Sequence, residues 1–326
     1  MDSMNEPTVY EVVKRWRTKL QAKSRSLDFT KSSTWRGGLY WLKRFCKFAE
    51  TNPDSLIADR NKTLESTTET VKRKHEELLE NFITMLRDKK YSTNSIATAT
   101  GMIRSFYKSN YVGLIEVSTV RPYPIRPHKV PTRLDIKKMC AVADPAIESW
   151  ILCQFQSGLG NTDLLSLSLN TLSSEFGTIK NQLKKGVVPI HIEIRRQKTQ
   201  ERTDTFFGPN AIDALNEYVN LDTRGRIFRM SVRTIQQKVK RIAIEAKVAT
   251  KQVPINPYSL RRAFNTLMKF AGMNEALVER MMGHSIGRVR SAYLVTGRDE
   301  QITGIPIKTL AEEYMKYYDA IDITKV

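Results

Sequence analysis

Residues 258–294 read YSLRRAFNTLMKFAGMNEALVERMMGHSIGRVRSAYL, and the rest of the chain can be organised around them. Leu260, Phe264, Leu267 and Ala271 follow in steps of four, three and four, the spacing of one helix face. Tyr258, Arg261 and Asn265 fall on the opposite face of the same helix. Arg261 thus stands near a helix N-terminus, where free backbone N–H groups and the helix dipole favour an anion. A second helix is predicted from about Asn274, burying Leu277, Val278 and Met281 and ending at Gly283, a residue suited to the left-handed position after a helix. His284 follows at that turn. Tyr293 comes nine positions later, in a segment that also carries Arg288 and Arg290. Taken singly, each has an ordinary reading: a packed aromatic, a locally bonded histidine, surface charges.

Composition narrows the choice. A length of 326 residues favours two domains, and 40% hydrophobic residues are enough to bury real cores. Lysine and arginine number 53 against 34 acidic residues, a net charge of +19. Residues 1–130 carry +10 (24 basic, 14 acidic) and the remainder +9 (29 and 20), so the excess is not a tail. Such an excess on folded domains is the footprint of a protein that sits on a polyanion; nucleic acid is the first expectation, and a basic protein with no such partner is the alternative. Cys46, Cys140 and Cys153 have no CxxC spacing and lie in apolar surroundings, which predicts buried thiols in a reducing cytosol and no zinc site. The start, MDSMNEPTVY, lacks a basic stretch followed by an apolar run, and no segment approaches the ~18 apolar residues of a membrane span. A cytoplasmic protein associated with nucleoid or host-cell DNA is expected, with no membrane partner and no small-molecule substrate.

The stretch VRPYPIRPHKVPTR, residues 120–133, holds four prolines and forbids a continuous helix. It divides the chain into a helical domain over 1–119, a linker over 120–132 and a second domain over 133–326. Upstream, Val9, Val13, Trp16 and Leu20 predict one helix, and Trp35, Leu39, Leu42, Cys46 and Ala49 another. A Ser66/Glu69 capping box is expected to open a helix carrying Leu78, Leu79, Phe82, Ile83 and Leu86. Ser92 is expected to cap one with Ile96, Ala99, Ile103 and Phe106, completing a bundle of about four helices. Arg36, Tyr40, Lys43, Arg44 and Lys47 interleave cations with an aromatic on a polar face, and Arg104 and Lys108 are i,i+4 neighbours. Such stripes suit phosphate-backbone contacts, and equally an ordinary solvated face. Beyond the linker, Thr132 and Asp135 predict a second capping box. PIHIEIRRQKTQERTDTFF predicts a β-hairpin, with Ile190, Ile192 and Ile194 alternating before a charged turn. Helices are predicted around 209–221, 231–247, 257–271, 274–283 and 307–319, so the fold class is mainly α with a small β-sheet or hairpin.

The run SLRRAFNT…LVERMMGHSIGRVRSAY resembles the C-terminal signature of the tyrosine recombinase family, the phage-integrase-like enzymes: an HxxR box, then LxxxGH, then a tyrosine nine residues after that histidine. The resemblance places Arg261 at the box arginine, His284 in the GH element and Tyr293 at the nucleophile. QSGLGNTDLLSLSL looks like the family's TGLRxxEL box, and Lys198 in the hairpin turn matches its lysine between two strands. It implies an N-terminal domain that clamps DNA, a catalytic domain of integrase-like fold, and a homo-oligomer, dimer to tetramer, on double-stranded DNA.

The chemistry so implied is attack of a phenol oxygen on a phosphodiester, giving a 3′-phosphotyrosyl link and a free 5′-hydroxyl. Arginines stabilise the nonbridging oxygens, a lysine protonates the leaving oxygen and the histidine assists; no metal and no cofactor is implied. Two departures stand out. Gly160 occupies the position of the first box arginine, with Asp163 at the acidic position, and Tyr258 replaces the box histidine. Arg195, Arg196 and Arg262 are the candidates for a substitute cation. Site-specific recombination or integration is the leading expectation. The alternatives are a catalytically weakened DNA-binding relative and a type IB topoisomerase-like nicking and sealing enzyme. The stripe Leu310, Tyr314, Tyr317 and Tyr318 is suited to docking on a neighbouring protomer or on its own domain.

Overall fold

A computed structural model describes residues 7–24, 28–115, 117, 129–197, 202–221, 225–284 and 306–326. The chain divides into two compact units, Met1–Ile125 and Arg126–Val326.

The first unit is all helical: α1 (Glu11–Gln21), α2 (Ser33–Phe48), α3 (Pro53–Leu64), a single turn α4 (Glu69–Lys72), α5 (Lys74–Asp88) and α6 (Thr93–Ser109). The starts are chemically marked. Ser32 and Ser92 accept from the backbone N–H three residues on, as does Asn52, which is followed by Pro53 at the first helical position. An aromatic core of Trp16, Trp35, Phe45, Phe82, Phe106 and Tyr107 closes the bundle. Gly38 lets α2 cross Trp16, since a Cβ there would fall 2.8 Å from the indole.

Three expectations are corrected. Helix α1 begins at Glu11, because Tyr10 is extended, and Val9 stays outside it and exposed. The Ser66/Glu69 box does not form: Ser66 accepts from the Thr68 N–H, Thr68 precedes α4, and the apolar stripe from Leu79 to Leu86 belongs to α5. The bundle also holds α3, whose apolar spacing is thin because Arg60 and Thr63 take buried positions. Arg60 is only 1% exposed and meets Glu76 through two bonds of 2.8 and 2.6 Å, while Glu76 also accepts from the Ile115 N–H. This fork ties α3 to α5 and to the chain beyond α6. On the polar face, Arg36, Lys43, Lys47 and Lys108 are exposed and Arg104 is half-buried. Arg44 is half-buried, donating to the Tyr40 hydroxyl at 2.9 Å with its guanidinium 5.3 Å from the Tyr91 ring centre.

The second unit is built around α8 (Pro145–Ser157), which is apolar on nearly every side and buried from Ser149 to Ser157. Asp144 caps its start, and Gly158 ends it in the left-handed region at φ 65°. Around it pack α7 (Arg133–Cys140), opened by the Thr132/Asp135 capping box, α9 (Asn161–Ser166), α11 (Pro209–Tyr218), α12 (Val232–Glu245) and α13 (Pro257–Phe270). A two-stranded sheet, β1 (Leu172–Ser173) with β2 (Gly177–Thr178), precedes α10 (Ile179–Lys184). The predicted hairpin is present as β3 (Ile190–Arg195) against β4 (Arg202–Phe207), in register from Ile190 opposite Phe207 to Arg195 opposite Arg202. Its polar alternates are not all solvated: His191 and Asp204 are buried, because Ser173 and Arg280 cover that face.

The helix α14 (Glu275–Met281) follows α13, and the C-terminal helix spans Ile307–Lys316 with a 3-10 turn at Tyr318–Ala320. The tyrosine stripe docks on its own unit. Tyr314 donates to the Gln156 carbonyl at 3.0 Å, and the Tyr318 hydroxyl accepts from the Asn210 N–H at 3.0 Å. Leu310, Tyr314 and Tyr318 are therefore buried within one chain and are not available to a neighbour.

Replacing Arg60 by Met leaves the Glu76 carboxylate buried without its partner and is expected to lower the stability of the first unit by about 3–5 kcal/mol. Urea unfolding followed by tryptophan fluorescence reads the loss, since Trp16, Trp35 and Trp41 lie in this unit and only Trp150 lies in the other. A change below about 1 kcal/mol, the size for an exposed pair, would show that the fork contributes little.

Candidate active site

The site gathers where α8 ends, α13 begins and α14 stops. Asn256 and Ser259 form a reciprocal capping box, and Pro257 takes the first helical position. One turn in, Arg261 is not on a solvated face: it is 4% exposed. Its guanidinium donates to the Gly158 carbonyl at 2.5 Å, to the Met282 carbonyl at 2.6 Å and to His284 Nε2 at 2.8 Å. All three acceptors are neutral, and among the described residues Arg261 has no carboxylate partner. Burial, then repulsion from Arg196, pushes its pKa down to about 10. Tyr258, at the exposed start of α13, is among its electrostatic neighbours.

Helix α14 ends as a Schellman motif. Gly283, at φ 62°, donates to the Arg280 carbonyl at 2.8 Å, and the His284 N–H donates to the Glu279 carbonyl at 3.0 Å. That turn brings the His284 ring back over its own helix, where Nδ1 bonds the Glu279 carboxylate. A guanidinium only donates, so Nε2 must accept from Arg261 and the ring proton sits on Nδ1, donating to Glu279. Glu279 is itself held by Lys269 and by Asn265 at 3.0 Å. Burial alone would raise its pKa; the bonds from Lys269, His284 and Asn265 outweigh this and hold it at about 2.

A second cation lies beside the first. Arg196, just past β3, donates from Nε to Asp163 at 3.1 Å and from Nη1 to the Gly283 carbonyl at 2.7 Å. The other Asp163 oxygen accepts from the Gln197 N–H at 3.1 Å. Gly160 precedes α9 at φ −75° and ψ 158°, an extended conformation open to any residue. A Cβ built there would lie 3.6 Å from Arg196 Nη2.

The predicted residues thus separate. Arg261, His284, Asp163, Gly160 and Arg196 come together, with Tyr258 at the rim. Arg195 is exposed on the hairpin and lines a surface hollow of about 340 Å³ with Leu172, Glu193, Ile194 and Arg202. Arg262 is half-buried, and none of its atoms is among the three nearest to a Cβ built at Gly160. Lys198, Arg288, Arg290 and Tyr293 lie outside the described residues. Sequence reading passed over Glu279 and Lys269. The signal for Glu279 was present: a glycine after a helix pairs the residue behind it with the one five positions earlier. Among the described residues, no group of three or more His, Cys, Asp or Glu is arranged to hold a metal ion, and no helix is long and apolar enough to cross a membrane.

A sequence model of the phage integrase family matches residues 132–296. The tyrosine recombinase XerA of Thermococcus kodakarensis is 24% identical over 218 residues, covering 63% of this chain and 71% of the relative. Among solved structures, a lambda integrase dimer bound to a COC′ core site aligns with a TM-score of 0.61 at 12% identity, over 91% of this chain and 97% of that one. The XerH recombinase bound to palindromic difH in a post-cleavage complex aligns at 0.57 and 14% identity, over 92% and 95%. The Tn1549 transposon integrase in complex with circular intermediate DNA aligns at 0.54 and 15% identity, over 88% and 95%. These likenesses show the fold: a helical bundle and a helix-rich domain with a small sheet.

The Glu279 carboxyl sits at about 2 in the folded chain against an ordinary 4.5. Its ionisation therefore stabilises the fold above pH 4.5 or so, and that contribution is lost as pH falls through about 2. Glu279→Gln should lower the melting temperature at neutral pH yet lose less on acidification across this window than the parent chain. Equal acid slopes in melting curves of the two would show the carboxylate to be uncoupled.

Proposed function

Because the chain belongs to the phage integrase family, we propose that it is a site-specific DNA strand transferase working through a covalent 3′-phosphotyrosyl intermediate, with Tyr293 as nucleophile. The observation that carries this reading is Arg261, a guanidinium buried against neutral acceptors with a second guanidinium beside it. Desolvating a cation with no carboxylate in direct contact costs several kcal/mol, only partly offset here by the more distant Asp163 and Glu279, and an arriving phosphate would offset the rest. Strongly perturbed charges of this kind gather where a reaction develops charge.

In the reaction so read, the Tyr293 phenol oxygen attacks the scissile phosphorus in line with the 5′ oxygen. An O–P bond to tyrosine forms as the P–O5′ bond breaks; the phenol gives up its proton, and Lys198 protonates the departing oxygen. Attack by a 5′-hydroxyl of another strand reverses the step and joins the new ends. Arg261 and His284 hold the nonbridging oxygens, and Tyr258 offers a hydroxyl where the family has an imidazole. The lambda integrase relative binds its core site as a dimer, and XerH and the Tn1549 integrase were solved with DNA, which supports duplex DNA and self-association for this chain. Arg36, Lys43, Arg44, Lys47, Arg104 and Lys108 would track phosphates from the first unit, and Arg288 and Arg290 from beside the nucleophile.

Nicked suicide duplexes test the chemistry. Tyr293→Phe should abolish the covalent adduct while leaving DNA affinity nearly unchanged, because only a hydroxyl is lost. An adduct that survives in this variant moves the nucleophile elsewhere. Nicking and resealing of one duplex without exchange between two sites would favour the topoisomerase-like alternative.

The DNA contacts have a separate test. Changing Lys43, Arg44 and Lys47 together to Ala should weaken binding to all duplexes alike and flatten the salt dependence by up to roughly 0.9 log unit per lost contact. A sequence-selective loss at an unchanged salt slope would show that these side chains do not act on the backbone.

A further inference from the structure

We propose that Arg196, reaching in from the β3/β4 hairpin, is the phosphate-binding cation that this chain uses in place of the arginine absent at Gly160. The proposal rests on the strand-transferase reading above and assigns that site one further catalytic residue.

Space is the first argument. The backbone at Gly160 is extended, so nothing in its conformation demands glycine, and Ser, Asn or Asp would cap α9 better. Room is what distinguishes glycine here. A Cβ at 160 would come within 3.1 Å of Asp163 Oδ2 and 3.6 Å of Arg196 Nη2, so a long side chain would compete directly with the Arg196 guanidinium. A second glycine guards the other side: a Cβ at Gly283 would fall 2.3 Å from Arg196 Cδ. The arginine passes between two glycines, with the side chains of Thr203 and Asp163 beside them.

Orientation is the second. Asp163 grips Nε at 3.1 Å and the adjacent Gln197 N–H at 3.1 Å, and the Gly283 carbonyl takes Nη1 at 2.7 Å. Among the described residues Nη2 has no partner, and it is the atom that faces Gly160. Charge is the third. Arg196 and Arg261 lie close enough to repel, and one carboxylate, Asp163, serves the pair; Glu279 is taken by Lys269 and His284. The site therefore holds a surplus positive charge set between α9 and α14. An arginine at 160 would have brought the same charge to the same place from the start of α9. Here it arrives from 36 residues farther along the chain than Gly160, and the acidic partner in the box stays in use.

The test compares covalent adduct formation on suicide duplexes by the full chain and three variants, with melting curves alongside. Arg196→Ala should slow the adduct by about 10²–10³-fold, the usual loss for one transition-state donor. Millimolar guanidinium should restore roughly tenfold or more of that rate, and so should moving the cation in the double variant Gly160→Arg, Arg196→Ala. Gly160→Arg alone, with two guanidiniums in one space, should be slower than the parent chain. A purely structural staple predicts a different pattern: a lowered melting temperature, with a rate that neither guanidinium nor relocation restores. That pattern, or parent-like speed in Arg196→Ala, overturns the proposal while the adduct formed by the parent chain leaves the strand-transferase reading standing. No adduct from the parent chain on any suicide duplex sinks that reading, and this assignment with it.

Discussion

The guanidinium of Arg261 joins three segments that are distant in sequence. Through the Gly158 and Met282 carbonyls it binds the end of α8 and the end of α14 to the first turn of α13. Each of those carbonyls belongs to a helix C-terminus, where the last carbonyls have no partner within the helix and the dipole favours a cation. Two such ends pointed at one guanidinium are a consistent way to hold a positive charge in a dry place. They leave the guanidinium without a carboxylate in hydrogen-bond contact among the described residues, with Asp163 and Glu279 acting on it only from farther off.

The neighbouring charges divide into two sets. Lys269, Glu279 and His284 form a chain that fixes the imidazole tautomer, with the carboxylate held ionised far below its ordinary range. Arg196 and Asp163 form the other, bringing the hairpin onto the same spot. Gly283 belongs to both: its left-handed backbone turns His284 toward Glu279, and its missing side chain gives Arg196 passage. Replacing it would strain the backbone and fill the slot at once, so the GH pair is constrained by packing as well as by chemistry.

Three arginines among the described residues show how burial and partner type separate the roles of one side chain. Arg60 is buried against a carboxylate in a two-bond fork, an arrangement that holds a bundle together. Arg44 rests on aromatic rings at the surface of α2, close to exposed Lys43 and Lys47. Arg261 is buried against neutral oxygen and nitrogen atoms alone. Composition counts all three equally in the net charge of +19, yet only the last is buried with neither a carboxylate in hydrogen-bond contact nor an aromatic ring beneath it among the described residues.

Much of this was legible in the residues themselves, because the deciding interactions are local. The Thr132/Asp135 box, the Ser92 cap and the left-handed Gly283 each depend on atoms a few positions apart, and the hairpin pairs residues 7 to 17 positions apart. At Ser66 the spacing pointed to a capping box that does not form: the Ser66 hydroxyl accepts from the Thr68 N–H instead, and Thr68 precedes the helix without a side-chain cap bond. The sequence also narrowed the substitute cation to three arginines, and there its information ended. Arg195, Arg196 and Arg262 differ little in local context, and strand pleat, the path of α14 and the room beside Gly160 separate them. Those depend on contacts such as Arg196 to Gly283, 87 positions apart, and Arg261 to Gly158, 103 apart. Helix spacing placed Arg261 opposite the apolar stripe, which reads as solvent-facing when the helix is taken alone; only the packing of α8 and α14 over that face makes it the buried cation on which the site is built.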